Sequence, residues 1–175
     1  MKKVLLTVAL GILAASTVTP AIADDNDRNS LVRFNGGIGS QPFAAGAGGV
    51  PVTNDVLGVP PGGRPWPIES LRAVVHLDST ITVKGQGMVL GGGANVGRPA
   101  IPRKVVATLF CGPATAPLSF NSEPVDLDAA GNFTIRSPLS GIVPNPCVLP
   151  ILLIRNFGGT PAAPGPWFAA GIPVN

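Results

Sequence analysis

Apolar and polar residues alternate with a period of two between residues 68 and 90, and this is the clearest pattern in the chain. Every second side chain of the first half is apolar: Leu71, Ala73, Val75 and Leu77. This period is typical of half-buried antiparallel strands, so a hairpin is predicted here. A three-residue loop at 78–80 sets Leu77 opposite Ile81 and keeps the apolar side chains of both strands on one face.

Similar short patterns recur along the rest of the chain, and no window beyond the first 23 residues has helical periodicity. The stretch 147–154 is almost wholly apolar, which predicts a strand covered on both faces, although Pro150 favours an edge or a bulge. The other predicted strands are 31–34, 105–111, 125–128, 133–136 and 167–172.

Seven to nine short strands separated by turns predict an all-β fold, specifically an antiparallel β-sandwich. The turn Gly131-Asn132-Phe133, which leads into a strand, resembles turns of immunoglobulin-like and prealbumin-like sandwiches. That resemblance covers about ten residues and implies the architecture only. In this turn Asp128 is expected to cap backbone amides, and Gly131 or Asn132 is expected to adopt a positive φ.

Glycine, proline and alanine dominate residues 35–67, which excludes a helix there. The segment is predicted to be a long Gly/Pro-rich loop with edge strands at 50–52 and 55–59, or to be partly disordered. We expect residues 24–67 to precede a main body at 68–175, all within one domain.

Residues 1–23 have the pattern of a secretory signal peptide. Two lysines precede an apolar stretch that is too short to span a membrane, and Ala21 and Ala23 lie at the −3 and −1 positions of a cleavage site. Cleavage after Ala23, a secreted or periplasmic location and no transmembrane segment in the mature chain are therefore predicted. Cleavage also removes two of the 12 basic residues and none of the nine acidic ones, which lowers the net charge from +3 to +1.

Cys111 and Cys147 are the only cysteines. Export places them in an oxidising compartment, and they lack the Cys-x-x-Cys spacing of redox-active pairs. One structural disulfide is predicted.

The composition excludes several classes of function. A single histidine cannot supply a multi-histidine metal centre, and the stretch 126–137 lacks two of the ligands of a calcium loop. No metal and no cofactor are expected. Lysine and arginine are scattered, so nucleic acid is not expected as a partner. Gly85 and Gly87 are interpreted as a bulge, or as room for bulky side chains from the facing sheet, because no helix follows them.

Two tryptophans are the binding candidates. Trp66 lies between Pro65 and Pro67 and could present a rigid stacking surface, and Trp167 is the second candidate. The alternative is that each ring plugs one end of the sandwich.

The leading hypothesis is an exported, non-enzymatic protein that acts by contact with an unknown protein or cell-envelope component. Its contact surface would be residues 35–67, and substitution of Trp66 would weaken binding while leaving the melting temperature nearly intact. One alternative is a small secreted hydrolase that uses His76, Asp78 and a distant serine or carboxylate. Another is a self-assembling coat or fibre subunit, favoured by a mean hydropathy of +0.39.

Overall fold

The computed structural model describes residues 29–100, 103–160 and 162–174. The predicted signal peptide, residues 1–23, and the start of the 24–67 segment lie outside the described residues. Among the described residues, no helix is long and apolar enough to cross a membrane. The strands, in chain order, are β1 (Ser30–Gly39), β2 (Phe43–Ala45), β3 (Pro51–Thr53), β4 (Ser70–His76), β5 (Thr80–Gln86), β6 (Lys104–Cys111), β7 (Leu118–Asn121), β8 (Val125–Asp126), β9 (Phe133–Pro138), β10 (Ile151–Asn156) and β11 (Trp167–Val174).

Nine of these strands form one antiparallel sheet that curls into a half-barrel. Its strand order is β7-β6-β10-β11-β1-β4-β5-β9, and β8 also pairs with β6. Strand β8 lies beside β6, near one end of the strand order, and it contacts β9 at the other end. The two ends of the sheet therefore approach each other. The all-β antiparallel prediction is confirmed.

The immunoglobulin-like or prealbumin-like sandwich is not confirmed, because the main strands lie in a single curled sheet. The two remaining strands, β2 and β3, form only a small hairpin. A period of two specifies which side chains point inward. It does not specify whether that inward face packs on a second sheet or on the far side of its own sheet.

Apolar side chains pack on both faces of the sheet around β10. Leu152 and Ile154 lie in the main core inside the curl, whereas Leu153 lies in a second cluster on the outer face. The predicted strand at 147–154, covered on both faces, is thereby confirmed over residues 151–154 as part of β10, whereas residues 147–150 are not in a strand. Pro150 immediately precedes Ile151, so it removes no donor from within the strand.

The 35–67 segment is ordered over its described length, but its strands differ from the predicted ones. Residues 35–39 extend β1, and the predicted edge strand at 50–52 is confirmed as β3. The predicted strand at 55–59 is wrong, because Val56 and Val59 form a tight turn closed by two hydrogen bonds of 3.0 and 2.9 Å. This turn leads into a stretch that covers the outer cluster, where the Trp167 amide donates to the Pro60 carbonyl at 2.9 Å.

The β4–β5 hairpin has a three-residue loop, as predicted, but one position earlier in the chain. Val75 pairs with Ile81, so the loop is 77–79 and the predicted pairing of Leu77 with Ile81 is wrong. Ser79 adopts a positive φ of 64°, which completes the turn, and Leu77 is exposed. Both registers keep the apolar side chains on the same face, so alternation alone could not distinguish them.

The turn before β9 has the predicted structure. The Asp128 Oδ1 accepts hydrogen bonds of 2.8 Å from the amides of Ala130 and Asn132. Gly131 has a φ of 80°. Asp128 therefore acts as a backbone cap here.

Gly85 makes room for an aromatic ring, as one of the two interpretations of this glycine required, but the ring comes from the adjacent strand of the same sheet and not from a facing sheet. It pairs with Phe133 of β9, and a Cβ at position 85 would collide with the Phe133 ring. Gly85→Ala is therefore expected to lower the free energy of unfolding by about 1–3 kcal/mol through overpacking. Urea denaturation measures this change.

The matched control is Gly63→Ala, because a Cβ there would meet no atom within 4 Å. It should change stability by less than about 0.5 kcal/mol. Equal effects of the two substitutions would contradict the packing argument.

Candidate cationic binding face

Four neighbouring strands each place one cation on the outer face of the sheet. The strands are β1, β4, β5 and β9, which are consecutive in the strand order. We call the group the cationic face, and it consists of Arg33, Arg72, Lys84 and Arg136.

The register places these cations in two adjacent rows across the sheet. In one row Arg72 lies directly opposite Lys84. In the other row Arg33 pairs with Val74, and Arg136 pairs with Thr82. Directly opposed side chains have Cβ atoms about 5 Å apart, and like charges in this position are destabilising. Such a local conflict is typical of a functional surface.

Between described residues, no ion pair within 4.0 Å joins an acidic side chain to Arg72, Lys84 or Arg136. None of the four strands contains Asp or Glu. Among described residues, the one ion pair within 4.0 Å joins Lys104 to Asp126, on β6 and β8. The side chains of Arg72, Lys84 and Arg136 are exposed. Their charges are thus available to an anion from solution.

The cations surround a shallow basin of about 850 Å³ on the outer face. Val74 and Thr82 lie between the charged side chains, and His76 also lines the basin. The Thr82 hydroxyl can donate and accept hydrogen bonds. The basin therefore combines positive charge with neutral polar groups.

Trp66 lies inside the curl, away from this face. Its side chain is 3% exposed, and its ring stacks on Phe168 with centroids 4.2 Å apart. The guanidinium carbon of Arg103 lies 5.4 Å from the Trp66 ring centroid. A ligand-binding role for Trp66 stays a prediction, and this structure presents no exposed ring face to support it.

Trp167 lies on the opposite side of β11, in the outer cluster. It is also 3% exposed, and its Nε1 donates to the Asn54 carbonyl at 3.1 Å. The structure brings together neither the two tryptophans nor a tryptophan and the cationic face. Binding through Trp167 likewise stays a prediction.

His76, Asp78 and Ser79 lie at the β4–β5 turn. The side chains of Asp78 and Ser79 accept hydrogen bonds from backbone amides. Asp78 Oδ1 accepts from the Thr80 hydroxyl at 2.7 Å and from the Thr80 amide at 2.9 Å. These bonds, with a smaller contribution from nearby His76, lower the pKa of Asp78 below its ordinary value. Ser79 is buried, and its hydroxyl oxygen accepts from the Val143 amide at 2.9 Å. The hydrolase alternative stays a prediction.

Sequence reasoning missed the cationic face because its members are spread from position 33 to position 136. The available signal was that Arg72, Lys84 and Arg136 each occupy a polar position of an alternating strand. Recognising the group also requires the strand neighbours, which the alternation does not specify.

Within the described part of the chain, no group of three or more His, Cys, Asp or Glu side chains could hold a metal ion. No family model, curated protein or solved structure matches this chain significantly. Its function is therefore inferred from its own geometry.

Proposed function

We propose that the chain is an exported, non-enzymatic binding protein, and that it contacts an anionic partner through the cationic face. The observation that carries the proposal is the group of three exposed cations, Arg72, Lys84 and Arg136, on the neighbouring strands β4, β5 and β9, with no acidic residue in those strands. The position of Arg72 directly opposite Lys84 lowers the stability of the folded protein. An anion that bridges the two side chains would offset this loss.

The disulfide and the first 23 residues support export. Cys111 and Cys147 are bonded, with Cα atoms 5.1 Å apart. Disulfides persist mainly in oxidising compartments outside the cytoplasm. The signal-like pattern of residues 1–23 agrees with that location.

A charge-matched pair of variants tests the binding face. Arg72→Gln with Lys84→Gln removes two charges from the face, and Arg64→Gln with Arg98→Gln removes two charges elsewhere. Each exposed charge contact contributes up to about 1 kcal/mol, so the face variant should bind anions roughly tenfold more weakly. The control variant should stay within about twofold of the original protein.

Calorimetric titration with tripolyphosphate and with dextran sulfate, at fixed ionic strength, measures these affinities. Mass spectrometry of the secreted protein tests the predicted start at Asp24. Equal losses in the two variants would indicate a general effect of net charge and would contradict the proposed face. An uncleaved chain retained in the cytoplasm would contradict export.

A second candidate function, self-assembly, is favoured by the β2–β3 hairpin. All six of its strand residues are exposed, and Phe43 has 66% of its surface accessible. Exposed apolar strands are sites for association between copies of a chain.

Phe43→Ser with Val52→Ser should therefore shift any oligomer toward monomer. Sedimentation velocity over a range of protein concentrations measures this distribution. If the original protein is monomeric throughout that range, self-assembly through the hairpin is wrong.

A further inference from the structure

We infer that three of the outer cations form a site, centred on Thr82, for one compact tetrahedral dianion, the terminal group of a phosphate monoester. The cations are Arg72, Lys84 and Arg136, and we call these four residues the Thr82 site. The inference rests on the proposed function and adds the chemical class of the ligand and its position on the face. Arg33 is not part of the site, because it is half-buried and its Nε donates to a serine hydroxyl of the same strand at 3.2 Å.

Thr82 is the neutral residue that adjoins all three cations. Arg136 lies directly opposite it on β9. Lys84 is two residues along the same strand and on the same face. Arg72 is a diagonal neighbour, because it pairs with Lys84 and the residue two positions after it pairs with Thr82. Opposite Cβ atoms are about 5 Å apart and diagonal neighbours about 7–8 Å apart, so long charged side chains can meet above the Thr82 hydroxyl.

The side chains of the Thr82 site are available to a ligand. Between described residues, no hydrogen bond or ion pair engages any of these four side chains. The three cations are exposed, and Thr82 is half-buried between them in the lining of the basin. Its hydroxyl can donate one hydrogen bond to an anion held by the cations.

A tetrahedral dianion matches this arrangement better than a planar or singly charged anion does. The three side chains carry three positive charges, and a phosphate monoester carries about two negative charges at pH 7 on three terminal oxygens. These oxygens point in different directions, so each can accept from a different side chain, and arginine can donate two parallel bonds to such a group. A carboxylate has one charge and only two oxygens, which lie in one plane, and a sulfate ester has one charge.

Three ligands built on one type of sugar test this chemistry. Glucose 6-phosphate, glucose 6-sulfate and glucuronate differ in the charge and shape of the anionic group. Heteronuclear NMR titration of the secreted full-length mature protein measures even weak binding and locates it by residue. We expect the phosphate to bind about fivefold more tightly than either of the others, because it gains one further charge contact. The largest amide shifts should lie at the Thr82 site.

A charge variant tests the third cation. Arg136→Gln should weaken glucose 6-phosphate binding about fivefold, against less than about twofold for the control Arg64→Gln. Because Arg136 is not altered in the double variant at Arg72 and Lys84, its loss reports separately on the convergence of all three charges. Thermal melts verify that each variant is folded.

A pair of threonine variants tests the centre of the site without changing any charge. Thr82→Val removes the central hydroxyl and should weaken glucose 6-phosphate binding about threefold. Thr134→Val is the matched control, because Thr134 is an exposed threonine opposite Lys84 but two strands away from Arg72. It should stay within about twofold of the original protein.

Lipid vesicles distinguish the two sources of a phosphate monoester. Phosphatidic acid carries a monoester, whereas phosphatidylglycerol carries a singly charged diester. Binding to phosphatidic acid alone, weakened by Arg136→Gln, would support a monoester site that takes a lipid headgroup. Binding of glucose 6-phosphate without binding to either vesicle would support a site for a soluble compound. Equal binding to both vesicles would contradict the preference for a dianion.

The outcomes separate this inference from the proposed function. If the phosphate binds no more tightly than the sulfate and the glucuronate, or if the two threonine variants have equal effects, the Thr82 site is wrong while the proposed function stands. The absence of saturable binding at up to about 10 mM glucose 6-phosphate would overturn it in the same way. If no anion, including tripolyphosphate and dextran sulfate, distinguishes Arg72→Gln with Lys84→Gln from its control, both the inference and the proposed binding face fail.

Discussion

Trp66→Ala is expected to lower the free energy of unfolding by about 3–5 kcal/mol, which is the cost of truncating a large buried aromatic side chain. Trp66 is 3% exposed and stacks on Phe168 of β11. Its backbone amide also donates to the Ser40 carbonyl at 2.9 Å, which attaches the end of the Gly/Pro-rich segment to β1. The sequence alone led to the opposite expectation, a nearly unchanged melting temperature.

Loss of the ring would also affect Arg103. Its guanidinium lies over both rings, 5.4 Å from the Trp66 centroid and 5.3 Å from that of Phe168. A cation over an aromatic face gains about 0.5–2 kcal/mol, depending on its solvation. Partial burial lowers the pKa of Arg103, and the side chain also donates to Asn156 Oδ1 at 2.7 Å. Removing Trp66 would therefore weaken a contact as well as create a cavity.

Denaturant unfolding of Trp66→Ala measures this effect, with Phe43→Ala as the matched control. Phe43 is 66% exposed, so its truncation should change stability by less than about 0.5 kcal/mol. A loss below about 1 kcal/mol for Trp66→Ala would place the ring outside the core. That result would restore the hypothesis of a Trp66 contact surface.

Replacing both Cys111 and Cys147 with alanine is expected to cost about 3–4 kcal/mol of unfolding free energy in the chain-entropy model. The bond closes a loop with a sequence separation of 36 residues. That loop contains β7, β8 and β9. Strands β7 and β9 lie at the two ends of the strand order, so the link restricts the part of the unfolded chain that must return to close the curl.

Urea denaturation with and without a thiol reductant measures the contribution of the disulfide. The original protein should lose stability in reductant, and the double alanine variant should not change. Equal responses of the two proteins to reductant would show that the bond contributes nothing measurable.

The local pattern of apolar and polar residues was sufficient to predict most of the strands. The alternation around Val75 and Val83 predicted β4 and β5, and the apolar run before Asn156 predicted β10. The cap by Asp128 was also predictable, because a carboxylate two residues before an amide reaches it without any tertiary contact.

Strands β2 and β7 show where local pattern was insufficient. Residues 43–45 are rich in alanine and do not alternate between apolar and polar side chains, and residues 118–121 alternate over only four positions between Pro117 and Pro124. Their pairing with β3 and β6 is what orders them. Such strands are specified by their partners more than by their own side chains.

The sequence by itself determined most of the strands of the main sheet, which of their side chains point inward and which two cysteines could bond. These are consequences of a period of two and of a single cysteine pair. Only the tertiary structure decided that one sheet curls on itself, that Trp66 and Trp167 are buried on opposite sides of β11, and that four scattered cations form one face. Strand neighbours depend on contacts between residues far apart in the chain, and alternation within a strand carries no information about its partner.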